Sequence, residues 1–322
     1  GLFKFYIILY HKGNIQKLIL SLGVMWRKDN LTDIQIENKN NFLKNLSVGQ
    51  VVCYWVLLFA IWLNLTISFI ITLVRRFILH QNTELLLTFG SVYIFFDTSN
   101  DWFQYIIAYL FQIYTISGLG CMYFGLEFLT ITLCAHLCTA FSLLQDDLKR
   151  LTPTNNRVDL NEHLQNAPTD TIEIIIKQHQ KLIELTKLMN SIFTVIFFAN
   201  LSFSTFEICF YALACIVSHT PMDFAKNLLA ILIILISIFF LCYYSEILKK
   251  ESGGIAEAAY ENLWYRGDVG YRRSIRFIIM RAQRPCSLMS LNYIPITLNT
   301  FTKVVSTTYS YLSLAMTMYS KK

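Results

Sequence analysis

Residues 295–319 read PITLNTFTKVVSTTYSYLSLAMTMY, and only Ser320, Lys321 and Lys322 follow them. At about 1.5 Å per residue, a helix of this length crosses a hydrocarbon layer of roughly 30 Å. Six small hydroxylated residues make it more polar than a simple membrane anchor: Ser306, Thr307, Thr308, Ser310, Ser313 and Thr317. Such residues allow close helix contacts and can face water. The sequence therefore predicts that this helix is either an assembly surface or a pore wall.

The composition of the whole chain agrees with a membrane location. Its 322 residues are 55% hydrophobic and 15% charged, and the mean hydropathy is +0.46. Soluble domains carry about 25% charged residues. The net charge of +6 is spread over loops and forms no Lys/Arg-rich block, so we predict no nucleic-acid binding. We predict an all-α, polytopic helical membrane protein.

Long apolar stretches give the predicted spans. One of them, residues 102–144, exceeds a single crossing and predicts one helix that projects into the aqueous phase. Another helix starts near residue 171, with Ile175, Leu182, Leu185 and Met189 at helical spacing, and runs straight into an apolar span. Five complete spans are expected, within residues 51–74, 102–144, 191–217, 227–245 and 295–319.

The segments between the spans are more polar. Residues 11–47 predict an amphipathic helix that lies against the membrane face or a neighbouring helix. Residues 77–101 and 152–170 are predicted as loops, the first long enough to fold back over a cavity. Residues 2–10 are apolar but too short to cross a bilayer, so we expect them to be the tail of a span and the chain to be truncated at its N-terminus.

The distribution of basic residues gives a predicted orientation. Residues 11–47, 142–190 and 246–292 fall on one side of the membrane and hold 6, 6 and 8 of the 27 Lys and Arg residues. The opposite side holds five: Arg75, Arg76, Lys226, Lys321 and Lys322. Because basic loops are usually cytoplasmic, the C-terminus is predicted to be extracellular.

The sequence contains no signature of catalysis, so we predict no catalytic residues and no cofactor. The histidines lack metal-ligand spacing, and neither a phosphate-binding loop nor a nucleophile elbow is present. Cys134 and Cys138 are four residues apart with His136 between them, but there is no matching second pair. Buried small hydrophobic residues are the favoured interpretation of these cysteines, and no metal site is predicted.

The last third of the chain carries an ordered set of short motifs. They are AYENLWY at residues 259–265, RRSI at 272–275, MRAQRP at 280–285, TFTK at 300–303 and YSYL at 309–312. Together the motifs are specific, although none would be so alone, and in this order they resemble the insect odorant receptors. Weaker similarities, among them residues 109–112 and 177–180, extend the resemblance over essentially the whole chain.

This resemblance implies a seven-span channel subunit with a cytoplasmic N-terminus. Residues 1–10 would end span two, and the complete spans would be three to seven. The chain would form a single integral membrane domain, mainly transmembrane over residues 51–144 and 191–245. Residues 246–292 would be a cytoplasmic anchor region, and residues 293–320 would be the pore helix.

The resemblance further implies an odorant-gated, non-selective cation channel. Its partners would be the odorant co-receptor in a heterotetramer, volatile small molecules and membrane lipid. It would lie in the plasma membrane of olfactory sensory neurons. The co-receptor carries a long insert between spans four and five, whereas residues 142–190 are short, which implies a ligand-tuning subunit.

Two alternatives remain. Gustatory receptors share the architecture, but their closing motif has Gln-Phe seven residues after its Thr-Tyr, where this chain has Ala315 and Met316. A membrane transporter is less favoured, because no second half resembles the first.

The pore face of the last helix would contain a hydrophobic gate. In the alignment Leu314 and Met318 fall at the family's hydrophobic constriction, and Ser310 and Thr307 continue the same face inward. An apolar ring gates by dewetting. Sequence alone favours ordinary packing for Leu314 and Met318, and the resemblance reverses that preference. Lys303 lies near the inner end of the helix, with a structural role and a permeation role equally supported.

The odorant pocket is expected among the outer halves of the spans. Aromatic walls with a few hydroxyls suit volatile apolar ligands, although aromatic stripes at helical spacing are more often ordinary helix packing. The candidates are Trp62, Thr66, Phe69, Tyr105, Tyr109, Gln112 and Ile113.

Further candidates lie in the anchor region and among the intramembrane charges. Tyr260, Trp264 and Tyr265 are expected to contribute to subunit assembly. Glu127 is predicted to be structural, and Glu207 lies deeper in its span without an obvious partner.

Overall fold

The computed structural model describes residues 2–27, 31–78, 102–151, 172–218 and 220–320. Most of the predicted 77–101 loop and the whole predicted 152–170 loop lie outside these residues. The described part is almost entirely helical, and eight α-helices follow one another in it. They are α1 (Leu2–Tyr10), α2 (Lys12–Met25), α3 (Asp33–Leu73), α4 (Trp102–Arg150), α5 (Ile172–Val217), α6 (Pro221–Glu261), α7 (Val269–Ala282) and α8 (Leu298–Ser320).

Short irregular elements join or extend these helices. A π-helical turn, Val74–Ile78, continues α3, and a 3-10 turn, Trp264–Arg266, lies between α6 and α7. Two strands of two residues each, β1 (Met289–Ser290) and β2 (Ile294–Pro295), pair antiparallel between α7 and α8. The fold is therefore all-α apart from this small hairpin.

Four helices in the described part of the chain are long and apolar enough to cross a membrane. They are α3 with its π-helical turn, α4, α5 and α6. The fifth predicted span is present as the helix α8, but it is not among these four, because its small hydroxylated residues lower its hydropathy. The sequence thus predicted the helix correctly, whereas its composition alone does not mark it as a span.

The long helices extend well beyond one bilayer. Helices α3 to α6 contain between 41 and 49 residues, which corresponds to roughly 60 to 75 Å against a hydrocarbon layer of roughly 30 Å. This confirms that residues 102–144 belong to one helix and that residues 172–190 continue into the apolar part of α5. Residues 33–47 differ from the prediction, because they form the first turns of α3.

The start of α3 explains this difference. Thr32 caps the helix, and its backbone N–H donates to Oε1 of Gln35 at 3.1 Å in a capping box. Since no proline follows within α3, the polar turns lead directly into the apolar ones. The predicted amphipathic helix is therefore confined to α2, where Ile15, Leu18 and Leu22 are buried.

The best-packed core lies at the charged end of the bundle, which comprises residues 33–47, 135–150, 172–190 and 246–261 together with α7. The predicted stripe from Ile175 to Met189 is buried there. Many of the large apolar side chains left exposed belong to the apolar parts of α3 to α6. This distribution is expected, because water drives apolar burial outside a membrane whereas lipid does not. Fully buried members of the core are Leu137, Phe141, Leu148, Leu182, Met189, Leu248, Ile255 and Ile275.

The hairpin between α7 and α8 is fastened to α6. The Ser245 hydroxyl donates to the carbonyl of Ile296 at 2.6 Å and accepts from the N–H of Leu288 at 3.3 Å. The Ser252 hydroxyl accepts from the N–H of Cys286 at 2.8 Å. Two serines of one helix thus hold both sides of the hairpin.

The same hairpin is also fastened to α5. Asn190 donates through Nδ2 to the carbonyl of Ser287 at 2.9 Å and accepts through Oδ1 from the N–H of Met289 at 3.0 Å. At the tip, the Thr194 hydroxyl accepts from the N–H of Asn292 at 3.0 Å. Asn292 and its neighbour Leu291 have φ angles of 61° and 49°, a region that Asn tolerates better than Leu. The start of α8 is therefore fixed relative to two long helices.

Candidate functional site

A cavity of about 830 Å³ lies between α3, α4, α5 and α6. Its wall is mainly apolar, and its charged members are Glu207, Asp223 and Lys226. The size falls within the range of pockets that hold small organic ligands. Lining side chains from the four helices include Leu57, Ala60, Ile61, Leu65, Ile116, Leu119, Tyr123, Phe124, Tyr211, Ile233, Ile234 and Ser237.

A close approach of two helices shapes one edge of this cavity. Gly120 of α4 faces Ile61 of α3, and a Cβ atom at Gly120 would lie 3.2 Å from Cδ1 of Ile61. A side chain at this position would push the two helices apart or displace Ile61. Glycine thus allows the contact that closes this side of the cavity.

The seven predicted pocket residues lie outside the lining of this cavity. Three of them form an aromatic stack between α3 and α4: the ring centroids of Phe69 and Tyr109 are 5.1 Å apart, and those of Tyr105 and Tyr109 are 6.1 Å apart. The Tyr109 hydroxyl donates to the carbonyl of Leu65 at 3.1 Å, and Leu65 itself lines the cavity. Tyr109 therefore connects this aromatic stack to the cavity wall.

The remaining four are dispersed. Trp62 is exposed, and the Thr66 hydroxyl bonds back to the carbonyl of Trp62 at 2.8 Å. Gln112 is buried, and Ile113 is partly buried. The sequence did not indicate the lining of this cavity, because the lining depends on how each helix is rotated. Gly120 and Glu207, both unusual within apolar spans, were the available signals.

A buried ion pair lies next to the cavity. Nζ of Lys4 is 3.0 Å from Oε1 of Glu127, and the two residues are only 6% and 5% exposed. Asn200 donates a second hydrogen bond to the same carboxylate oxygen. The ammonium of Lys4 also lies 3.6 Å from the ring centroid of Tyr123, which lines the cavity. The pair supplies the partner that the sequence did not reveal for Glu127.

Among the described residues, helix α8 packs against α5 and α6 through one face. Thr308 is 6% exposed, and Phe301 and Val304 pack against the core. Thr307, Ser310 and Leu314 lie on a different face and are exposed, Leu314 to 60%. The structure thus places these three predicted gate residues together on a surface that no other described residue covers. The backbone of Met318 belongs to α8, and its side chain lies outside the described part.

Lys303 is also exposed on α8. It makes no hydrogen bond or ion pair with any residue that the structure describes. The three predicted assembly residues differ from one another: Tyr260 and Tyr265 are exposed, whereas Trp264 is partly buried and packs against the core. The rings of Trp264 and Tyr265 meet edge to face at 6.4 Å.

The sequence model of the family described as 7tm Odorant receptor matches residues 1–309. The chain belongs to the odorant receptor family. It is 29% identical to odorant receptor 85b of Drosophila melanogaster over 147 residues, which are 46% of this chain and 38% of that protein. Putative odorant receptor 92a of the same species is 24% identical over 224 residues, 70% of this chain and 53% of that protein. The chain thus spans about half the length, or less, of these relatives.

Solved structures show the odorant receptor fold independently. The structure of the insect olfactory receptor OR5 from Machilis hrabei in complex with eugenol has a TM-score of 0.64 at 15% identity, over 94% of this chain and 79% of that chain. A second structure of the same receptor has a TM-score of 0.62 at 14% identity, with the same coverage of both chains. The predicted all-α membrane fold and the predicted family are confirmed. This odorant receptor chain is a multi-pass membrane protein whose relatives are receptors, not enzymes.

Proposed function

We propose that this chain is a ligand-tuning odorant receptor subunit that forms an odorant-gated, non-selective cation channel together with the odorant co-receptor. The observation that carries the proposal is the cavity of about 830 Å³ between the four long apolar helices of an odorant receptor fold. Its mainly apolar wall suits small volatile molecules, because burial and shape supply most of their binding free energy.

A similar receptor supports this class of ligand. The structure of OR5 from Machilis hrabei is that of a complex with eugenol, a small aromatic molecule. We extend the class, but not the particular compound, to this chain. The stack of Phe69, Tyr105 and Tyr109 holds α3 against α4, so these residues tune the shape of the cavity from behind its wall.

Helix α8 is the proposed pore wall. Thr307, Ser310 and Leu314 recur every three to four residues on a surface that the described part of the subunit leaves open. Four such helices around an axis would present hydroxyls to water and, with Met318, a hydrophobic ring near the outer end. Such a ring opens to ions when it is widened slightly.

The proposed arrangement in the membrane follows from the same features. Residues 51–144 and 191–245 are mainly transmembrane, residues 246–292 form a cytoplasmic anchor region, and residues 293–320 form the pore helix. The excess of basic residues at the charged end supports an extracellular C-terminus. The site of action is the plasma membrane of olfactory sensory neurons.

Expression with and without the co-receptor tests the proposal. Cells that contain both proteins are expected to carry a cation current when volatile compounds are applied, and cells with this chain alone are not. Uptake of a compound without any current would favour a transporter instead. A current from this chain alone would contradict the ligand-tuning role and favour a gustatory-type channel.

A further inference from the structure

The cavity contains one carboxylate without a partner. Glu207 carries the only charge of residues 191–217, and its side chain is exposed in the cavity. It makes no hydrogen bond or ion pair with any residue in the described ranges. The other acidic residue of the lining, Asp223, differs, because Oδ2 accepts a hydrogen bond from the Thr220 hydroxyl at 2.7 Å. Glu207 is therefore available to a ligand.

The charges around Glu207 do not balance. Lys4 is the nearby lysine that interacts electrostatically with Glu207, but its ammonium is already bound to Glu127 at 3.0 Å. With Asp223 and Lys226, the other charged residues of the lining, two ammonium groups face three carboxylates, which leaves one negative charge uncompensated. An unpaired charge in a membrane interior is costly. Glu207 is therefore stable either as the neutral acid or with a second cation beside it.

Aromatic rings complete the surroundings. Phe124 and Tyr211 line the same cavity as Glu207, and so does Tyr123, whose ring already carries the ammonium of Lys4 at 3.6 Å from its centroid. Ammonium groups are attracted to aromatic faces, more strongly where water is excluded. A carboxylate next to aromatic rings, within an otherwise apolar cavity, suits a molecule with an apolar body and one amino group.

We propose that this cavity selects small apolar amines through Glu207, an inference that rests on the proposed function and specifies its ligand class. A neutral amine enters the cavity and takes the proton of the Glu207 carboxylic acid onto its nitrogen. The resulting ammonium then pairs with the carboxylate that remains. The proton moves from oxygen to nitrogen, no other bond changes, and no net charge enters the membrane.

Matched pairs of ligands test this selectivity. The chain is expressed with the co-receptor, and currents are recorded for hexylamine against hexanol and for phenylethylamine against phenylethanol. We expect the amine of each pair to act at a concentration at least about tenfold lower than the alcohol. Glu207→Gln is expected to remove this difference and leave the alcohol response, and Glu207→Asp to retain part of it.

Glu184→Gln is the matched control, since Glu184 lies on the same helix and pairs with Lys181 at 3.2 Å outside the cavity. It should behave as the wild type. Equal responses to amine and alcohol, or an amine preference that survives Glu207→Gln, would overturn the inference and leave the proposed function intact.

A binding measurement separates the two proposals. If no volatile compound evokes a current, the channel proposal fails, and thermal stabilisation of the purified chain by each amine and its alcohol still decides the ligand class. Stabilisation by the amines only, lost in Glu207→Gln, supports the inference. Equal stabilisation by both members of a pair, or by neither, contradicts it.

Discussion

The hydroxyl of Tyr271 donates a hydrogen bond to Oδ1 of Asn262 at 2.8 Å. Nδ2 of Asn262 donates in turn to the carbonyls of Leu148 and Leu151, at 2.8 and 2.5 Å. These carbonyls belong to the end of α4, where a helix lacks internal partners for its last carbonyl groups. One amide, 2% exposed, thus joins the ends of α4 and α6 to α7.

Asn262→Ala is expected to destabilise the charged end of the bundle. The substitution leaves two carbonyls and the Tyr271 hydroxyl without their partner, at a cost of roughly 1–3 kcal/mol for each group that stays buried. A thermal-unfolding measurement on the solubilised chain should show a lower Tm. Tyr271→Phe removes one hydrogen bond only and should cost about 1 kcal/mol. A smaller loss in Asn262→Ala than in Tyr271→Phe would contradict this assignment.

The Lys4–Glu127 pair gives a second prediction. Glu127→Gln removes the carboxylate that the buried ammonium of Lys4 contacts directly, and breaking a buried pair in this way costs about 3–5 kcal/mol. Lys4→Met combined with Glu127→Gln removes both charges and is expected to recover most of that loss. Thermal unfolding of the two single variants and the double variant checks this. Additive losses would show that the two side chains do not act as a pair.

His179 makes stability depend on pH. It lies in α5 before the apolar residues 191–217, and burial, with a smaller effect of Arg281, lowers its pKa to about 4. The unfolded chain protonates this histidine near pH 6.5, whereas the folded chain does not. Stability is therefore full above pH 6.5 and falls as the pH drops towards 4, by at most roughly 3 kcal/mol.

The measurement compares Tm at pH 7.5 and pH 5 in the wild type and in His179→Gln. We expect the variant to lose less stability between the two pH values. The same loss in both proteins would assign the pH dependence to other groups.

Cysteine substitution tests the pore face. Leu314→Cys is expected to make the ligand-evoked current sensitive to charged thiol reagents, because Leu314 lies on the open face of α8. Thr308→Cys, on the buried face of the same helix, should stay insensitive. The wild type is measured in parallel as the reference, because its eight cysteines are all free and any reaction at them must be subtracted. An insensitive Leu314→Cys channel would count against pore lining.

The anchor-region aromatics give the last prediction. Tyr260 is 71% exposed and contributes little to the packing of its own subunit. Tyr260→Ala is therefore expected to reduce co-assembly with the co-receptor and delivery to the cell surface. Its free energy of unfolding should stay within about 0.5 kcal/mol of the wild type. Trp264→Ala should lower the free energy of unfolding as well as co-assembly, because Trp264 also packs against the core. Normal tetramers from Tyr260→Ala in native electrophoresis would remove this surface from the interface.

The sequence predicted correctly those helices that have a long apolar segment or a clear helical spacing of apolar residues. Apolar length identified α4, α5 and α6, and the spacing from Ile175 to Met189 correctly indicated that α5 begins outside the apolar segment. The polar first half of α3 was not recognised as part of the span helix, because its pattern is equally compatible with a separate helix. The hairpin from Met289 to Pro295 was missed, since strands of two residues have no periodicity.

The site was less predictable than the fold. Lys4 and Glu127 are 123 residues apart, so no local pattern relates them. The face of α3 that meets the cavity contains Leu57, Ile61 and Leu65, whereas the prediction chose a neighbouring face with Trp62 and Phe69. That choice depends on helix rotation within the bundle, which hydropathy does not determine. For α8, by contrast, the predicted face with Leu314 coincides with the open one.

The hairpin that precedes α8 fixes the first residues of that helix to α5 and α6. The base of α8 cannot slide along either neighbour without breaking the hydrogen bonds of Ser245, Asn190 and Thr194, so any tilt of the helix displaces its far end most. Leu314 lies about 24 Å along the helix from its first residue. A tilt of about 3° therefore moves Leu314 sideways by roughly 1.3 Å. If α8 lines the proposed pore, such a tilt changes the position of Leu314 more than that of any residue nearer the hairpin.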